Sequence, residues 1–239
     1  MPPPTIDTKF DFRSDARGKD PDRASPTLRR FHRLLWSKRL PDGRPFDLND
    51  STPGAYLRHE SGVGVFTLTS DSVMPTYTRW KSMRHITECF SPEENEAFRR
   101  SGYTMGGMMV FPGHRVDRKP TLNGARGFSR TIADRMDLTL ECIRRHYLDE
   151  DSPLGPTLRL YSEFFTLFGT FRGYVEFFLL QDLVTEDFTD VRFFLPLENF
   201  SRRGVPADLD SYLTYRQASL GFVAARNRRI NAWAASVTP

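Results

Sequence analysis

Cysteine is nearly absent: the chain of 239 residues carries two, Cys89 and Cys142, far apart in the sequence. Two such thiols build no disulfide framework and neither lies in a paired metal motif, so both read as packed side chains in a reducing compartment. The opening residues, MPPPTIDTKFDF, lack the basic-then-apolar order of a secretory signal, which makes a cytoplasmic location the expectation. Long apolar runs are missing as well. The most apolar stretch, residues 158–184, is interrupted by Arg159, Glu163, Arg172, Glu176 and Asp182, and reads as buried helix rather than a transmembrane segment. There is no internal repeat, no glycine-rich phosphate loop, no Glu–His–His metal signature and no serine-hydrolase elbow. No cofactor and no metal is expected from what remains. A formal charge of +4 permits an acidic partner and identifies none.

What is abundant is phenylalanine, 20 residues of it, enough with the other apolar side chains for a substantial core. Residues 1–26, rich in Asp, Arg and Pro, read as an irregular N-terminal arm, and 27–239 as a single α+β domain. Ser25 and Pro26 suit the start of a helix carrying Leu28, Phe31, Leu34 and Leu35 inward, ended by the PDGRP turn at 41–45. The segment 46–62 is mixed, and 63–72 alternates as a short strand. Ser91, Pro92 and Glu94 spell a capping box. Residues 103–113 read as a central strand with Gly106 and Gly107 at a bulge or close contact, and 191–196 as another short strand.

The C-terminal half is helix-rich. The spacing of Phe128, Ile132, Met136, Leu140, Ile143 and Tyr147 predicts one helix across 123–147. A second helix is expected over 158–184, bent near Gly169 and Gly173. A last one is expected near 209–235, with Leu213, Leu220, Val223, Ile230 and Trp233 as its apolar stripe.

The residues that carry chemistry concentrate in FPGHRVDRKPTLNGARG at 111–127 and the helix after it. Arg115, Arg118, Lys119, Asn123, Arg126 and Arg130 form a basic cluster suited to phosphate or nucleic acid, against which stands a plain solvated loop. A metal-independent ribonuclease, or another phosphate-directed hydrolase, would use His114 as acid or base, with Glu141 or His146 as a second proton-transfer group. The run from Tyr77 to His85 offers Arg79, Trp80, Lys81, Arg84 and His85 to a phosphate or a base, although a helix with its Trp inward and its charges facing water is the stronger reading.

Asp134, Asp137 and Glu141 are spaced to align carboxylates for magnesium or manganese. Arg126, Arg130, Arg135, Arg144 and Arg145 lie so close that an Arg–carboxylate network is the stronger reading, completed by Arg144, Arg226 and Arg229. A protein-interaction module using aromatic surface in 158–178 is the third possibility.

Taken together, DRKPTLNGARG, DRMDLTLECIRRHY, FRGYVEFFLLQDLV and ARNRRINAW resemble DUF6994, a bacterial domain family of unknown function. The similarity runs from SPTLRRFHRLLWSK to the last helix. It implies one family domain in a bacterial cytoplasm and brings no catalytic residues with it.

Overall fold

A computed structural model describes residues 6–49 and 57–236. The chain opens with two capped helices, α1 (Pro21–Ala24) and α2 (Pro26–Trp36). Ser25 ends the first and caps the second, its hydroxyl accepting the Leu28 amide at 3.0 Å, with Pro26 in the first turn where no amide is needed. Ile6, Phe12 and Ala16 precede them and are buried. Strands β1 (Lys38–Arg39) and β2 (Pro45–Phe46) pair across the turn at Gly43, whose φ of +85° costs a glycine little.

The main sheet is antiparallel in the order β3 (Leu57–Ser61), β4 (Gly64–Ser72), β5 (Met108–Pro112). β4 alternates as its sequence demands, with Phe66, Leu68 and Ser70 turned inward. β5 is buried along its whole length. β3 lies in the segment that read as mixed. Its pairing with β4 (Leu57 opposite Leu68, His59 opposite Phe66) supplies the order that its own composition does not announce.

Between β4 and β5 come a 3₁₀ turn (Lys81–Met83), α3 (Arg84–Thr87) and α4 (Pro92–Gly102). The Ser91–Glu94 capping box at the start of α4 is complete in both directions. Gly106 sits on a 3₁₀ turn just before β5, where an added Cβ would lie 2.6 Å from the Val223 carbonyl oxygen. The close approach of the last helix to this turn therefore requires glycine.

Past the sheet the chain is helical in short pieces: α5 (Leu122–Phe128), α6 (Met136–Tyr147), α7 (Gly155–Arg159), α8 (Ser162–Thr166), α9 (Phe171–Phe177) and finally α10 (Leu209–Ser236). The result is an α+β domain closed by a long C-terminal helix. Among the described residues no helix is long and apolar enough to cross a membrane.

Four expectations are corrected. The helix predicted over 123–147 breaks between Phe128 and Met136. Ser129 is extended and its hydroxyl takes the Ile132 amide, Ala133 and Asp134 are left-handed, and the Arg130 carbonyl is claimed by the Gly204 amide. Phe128, assigned to the apolar face, ends up 82 % exposed. The 158–184 helix is three short helices and a 3₁₀ turn, interrupted where Gly169 (φ +70°) and Leu179 (φ +55°) turn left-handed. Its Phe164, Phe165, Phe168, Phe171, Phe177 and Phe178 are buried, so they build the core and offer no docking surface. The 191–196 strand shrinks to one bridge, Val184 with Val191. On α10, Leu213 is exposed, and the buried stripe is Tyr212, Tyr215, Ser219, Phe222, Val223, Arg226 and Ile230.

Candidate functional site

The break between α5 and α6 assembles the most unusual chemistry in the molecule. By folding back, it sets the Asp134 amide on the Arg126 carbonyl at 3.2 Å. Arg126, on α5, is completely buried and lies over the Phe111 ring, 4.7 Å from its centroid. Its Nε donates to Thr139 at 2.9 Å and its Nη2 to the Asp134 carbonyl at 2.9 Å. Two carboxylates flank the same guanidinium: Asp71 of β4 at 3.3 Å and Asp134 at 3.4 Å.

One buried cation therefore faces two acids. Burial pushes the Asp134 carboxyl up to about 7, with Arg126 opposing and Asp71 reinforcing the shift. Burial raises Asp71 too, again against the pull of Arg126. The pair borders a cavity of about 180 Å³ that also takes in Trp80, Tyr103, Arg79 and Arg99.

Trp80 borders a second cavity, of about 320 Å³, whose other walls are Lys81, Ser82, Arg130, Arg203 and Val205. Among the described residues no carboxylate pairs with Lys81, Arg130 or Arg203. Ser82, Arg203 and Val205 continue into a third cavity of about 510 Å³, with His85 and Arg135 on its wall. The far side of that cavity is the 195–207 loop. Arg135 hangs this loop from the core, donating to the Gly204 carbonyl at 3.0 Å while both Asp137 oxygens hold the guanidinium. Asp137 in turn accepts the Phe194 amide at 2.8 Å. Gly204 fits because an added Cβ would meet the Thr131 carbonyl oxygen at 2.4 Å. The three cavities share walls end to end, Trp80 between the first two and Ser82, Arg203 and Val205 between the last two, in a groove with Asp71 and Asp134 at one end and Glu198 beside the cations at the other.

The sequence-predicted residues divide between this groove, the adjoining surface and the interior. Arg115, Arg118 and Lys119 stand exposed on the loop before α5, and Arg130 reaches the 320 Å³ cavity. Phe128 joins this surface. A Cβ added at Gly124 would lie 3.5 Å from Pro120 and 3.8 Å from the Phe128 ring, which sets the exposed ring beside the basic loop. Asn123 instead ties α5 to the sheet, donating to Thr69 at 3.1 Å, and Arg126 is interior.

His114, Glu141 and His146 are not brought together. His114 packs on Phe66 and Tyr161, its carbonyl accepting the Tyr161 hydroxyl at 2.7 Å. Glu141 is held by Arg144 and Arg145, each at 2.8 Å, and His146 lies against Phe165.

The single Arg–carboxylate network is also corrected. It separates into Arg126 with Asp71 and Asp134, Arg135 with Asp137, Glu141 with Arg144 and Arg145, and Arg229 with Asp182. Arg226 reaches neither Asp134 nor Glu141. It is fully buried and donates to the carbonyls of Gly106, Met108 and Phe178 at 3.1, 2.8 and 3.0 Å. Among the described residues no three His, Cys, Asp or Glu side chains group to hold a metal ion, so Asp134, Asp137 and Glu141 are not a ligand set.

Trp80 and Lys81 belong to the segment that read as a helix with its Trp inward and its charges in water, and Asp71, Phe128 and Arg203 were not among the candidate site residues. Asp71 sits in an ordinary strand and Arg203 in a loop, and nothing local marks either. A model of the family described as a family of unknown function, DUF6994, matches residues 6–230. No curated protein and no solved structure matches the chain.

Proposed function

The chain belongs to DUF6994, a family of unknown function, and from that premise we propose that it binds a phosphate-rich ligand, single-stranded RNA in the first instance. The observation that carries this reading is the joining of cations that pair with no carboxylate among the described residues with a half-buried Trp80 and an exposed Phe128. Lys81, Arg130 and Arg203 converge on a cavity with Trp80, and the exposed Phe128 ring lies near Pro120, the residue that follows the exposed Arg118 and Lys119. Arg130 links the two halves, since it follows Phe128 by two residues and lines the cavity.

Single strands are recognised in this way, with cations tracking the backbone and bases stacked on aromatic side chains. A free phenylalanine ring costs hydrophobic free energy for as long as it stays in water, and a stacked base recovers it. A duplex, whose bases are already stacked, gains nothing from Phe128. Asp117 and Arg118 hold left-handed backbone at the loop tip, a strain that fits a loop shaped for contact.

The test is fluorescence anisotropy of a labelled single-stranded RNA against its duplex form, with and without Arg130→Ala and Arg203→Ala. Saturable binding of the single strand, weakened in each variant and weaker for duplex, is expected. Equal binding by both variants and the parent protein would refute the reading.

A further inference from the structure

We propose that Lys38 is a nucleophile that captures a small aldehyde or ketone as an imine, in a cavity separate from the groove. The cavity, of about 220 Å³, has Lys38, Arg39, Leu40, Pro41, Glu176 and Phe177 on its walls. It shares no residue with the three groove cavities, so this proposal stands apart from the single-strand reading.

The chain has five lysines. Lys9, Lys19, Lys81 and Lys119 are exposed, and Lys38 alone is half-buried. Its Nζ lies 5.1 Å from the centroid of the Trp36 ring, 4.5 Å from that of Phe177 and 5.2 Å from that of Trp233, and it donates to the Phe177 carbonyl. Phe177 supplies both the nearest ring and the acceptor and is itself a wall of the cavity, which sets Nζ at the edge of that space. The rings and the carbonyl fix where the nitrogen sits.

No carboxylate among the described residues pairs with Lys38, and the one on its cavity, Glu176, is held by Arg172 at 2.8 Å. Burial therefore brings the amine down to about 7, and the buried Arg226 adds to the shift. At pH 7 about half of Lys38 is the free amine, against roughly one part in 2,500 of an ordinary lysine at about 10.4. Lost hydration and a neighbouring cation are the two means by which a lysine becomes a nucleophile.

A free amine adds to a carbonyl carbon without needing a leaving group. The Nζ lone pair bonds to the carbon, the C=O π pair moves to oxygen, and one N–H proton shifts to that oxygen to give a carbinolamine. A second proton, from water or from Glu176 on the same wall, takes the hydroxyl off as water and leaves a protonated imine. The cavity is below the roughly 300 Å³ at which sites for drug-sized ligands begin, so the carbonyl compound has only a few carbons.

The experiment traps the imine on the full chain with propanal and cyanoborohydride, and reads the propyl group on each lysine by peptide mass spectrometry. At pH 7, Lys38 should be modified at least about tenfold faster than any of the four exposed lysines. Its rate should level off as propanal is raised, as a filled cavity requires. Its share of the total label should fall as pH rises, because the exposed lysines gain free amine and Lys38 has little left to gain. A naphthaldehyde, too large for the cavity, should reverse the order and label the exposed lysines first. Lys38→Arg keeps the charge and the ring contacts, and should remove the fast adduct with the other four rates unchanged. In the parent protein, a Lys38 rate no faster than that of the exposed lysines, or one that rises linearly with propanal, overturns the proposal without recourse to any variant.

Discussion

Salt dependence is the sharpest probe of the proposed surface, because it counts cations and leaves stacking aside. Five described cations face the single strand in this reading: Lys81, Arg118, Lys119, Arg130 and Arg203. Each phosphate contact contributes about −0.7 to the slope of log affinity against log salt for a single strand, so the slope should be about −3.5. Raising salt from about 50 to about 200 mM then lowers affinity roughly a hundredfold.

Arg130→Ala should flatten the slope by about 0.7. Phe128→Ala should do something different in kind: weaken binding by about 1–3 kcal/mol at every salt concentration with the slope unchanged, since a stacked base carries no counterion term. Phe128 is 82 % exposed, so its loss leaves no core cavity and thermal stability should stay where it was. Anisotropy titrations at four salt concentrations on the three proteins give all the slopes. A parent slope near zero, or a Phe128→Ala variant that binds as tightly as the parent, would refute the arrangement.

The interior offers three further tests. His32 is fully buried, accepts the Trp36 indole N–H at 3.0 Å and is held at about 3 by burial, with Arg226 adding to the shift. A depressed folded value means stability present above the unfolded value of about 6.5 and lost on acidification, about 2 kcal/mol between about pH 7 and 5. His32→Asn keeps an acceptor without a titrating ring, and urea melts at the two pH values should show this loss in the parent and not in the variant.

Asp134 works the other way: raised to about 7, it favours the folded state at low pH and loses that contribution as pH rises through 7, so Asp134→Asn should remove the benefit of acid. Arg226→Met leaves the carbonyls of Gly106, Met108 and Phe178 without their donor. At about 1–3 kcal/mol for each buried group left unmade, a loss of at least about 3 kcal/mol is expected in denaturant titrations, and an unchanged midpoint would show that the carbonyls find other partners.

How much of this was legible in the sequence depends on whether the signal was local. Ser25, Pro26, Ser91 and Glu94 mark helix starts with their own side chains, and the structure uses Ser25 as a cap with Pro26 in the first turn and Ser91 with Glu94 as a capping box. The β4 strand also follows its pattern, because one face of it meets the core, and α10 lies where its segment predicts although only Val223 and Ile230 of its predicted stripe are buried. The 123–147 segment misled for the opposite reason. Its apolar spacing is that of a helix, but Gly204, far along the chain, takes the Arg130 carbonyl, and Ser129 turns the backbone out of the helix. No periodicity within the segment records a competitor from elsewhere.

The same long-range competition decides the candidate site. A continuous helix would have spread Arg126, Arg130 and Asp134 along one face, with each charge balanced by its neighbour. The break turns Asp134 back onto Arg126, where Asp71 of the sheet is already in place, and leaves Arg130 and Phe128 facing out. One interruption thus separates a half-buried pair of acids around a buried guanidinium from an exposed basic and aromatic surface. Gly204→Ala tests whether that separation depends on the loop. The added Cβ would sit 2.4 Å from the Thr131 carbonyl oxygen, and forcing it in should cost about 1–3 kcal/mol and displace Arg203 from the groove. If the variant kept the parent's stability and its strand affinity, the break would be fixed by Ser129 and its neighbours alone, and the loop would be a passenger.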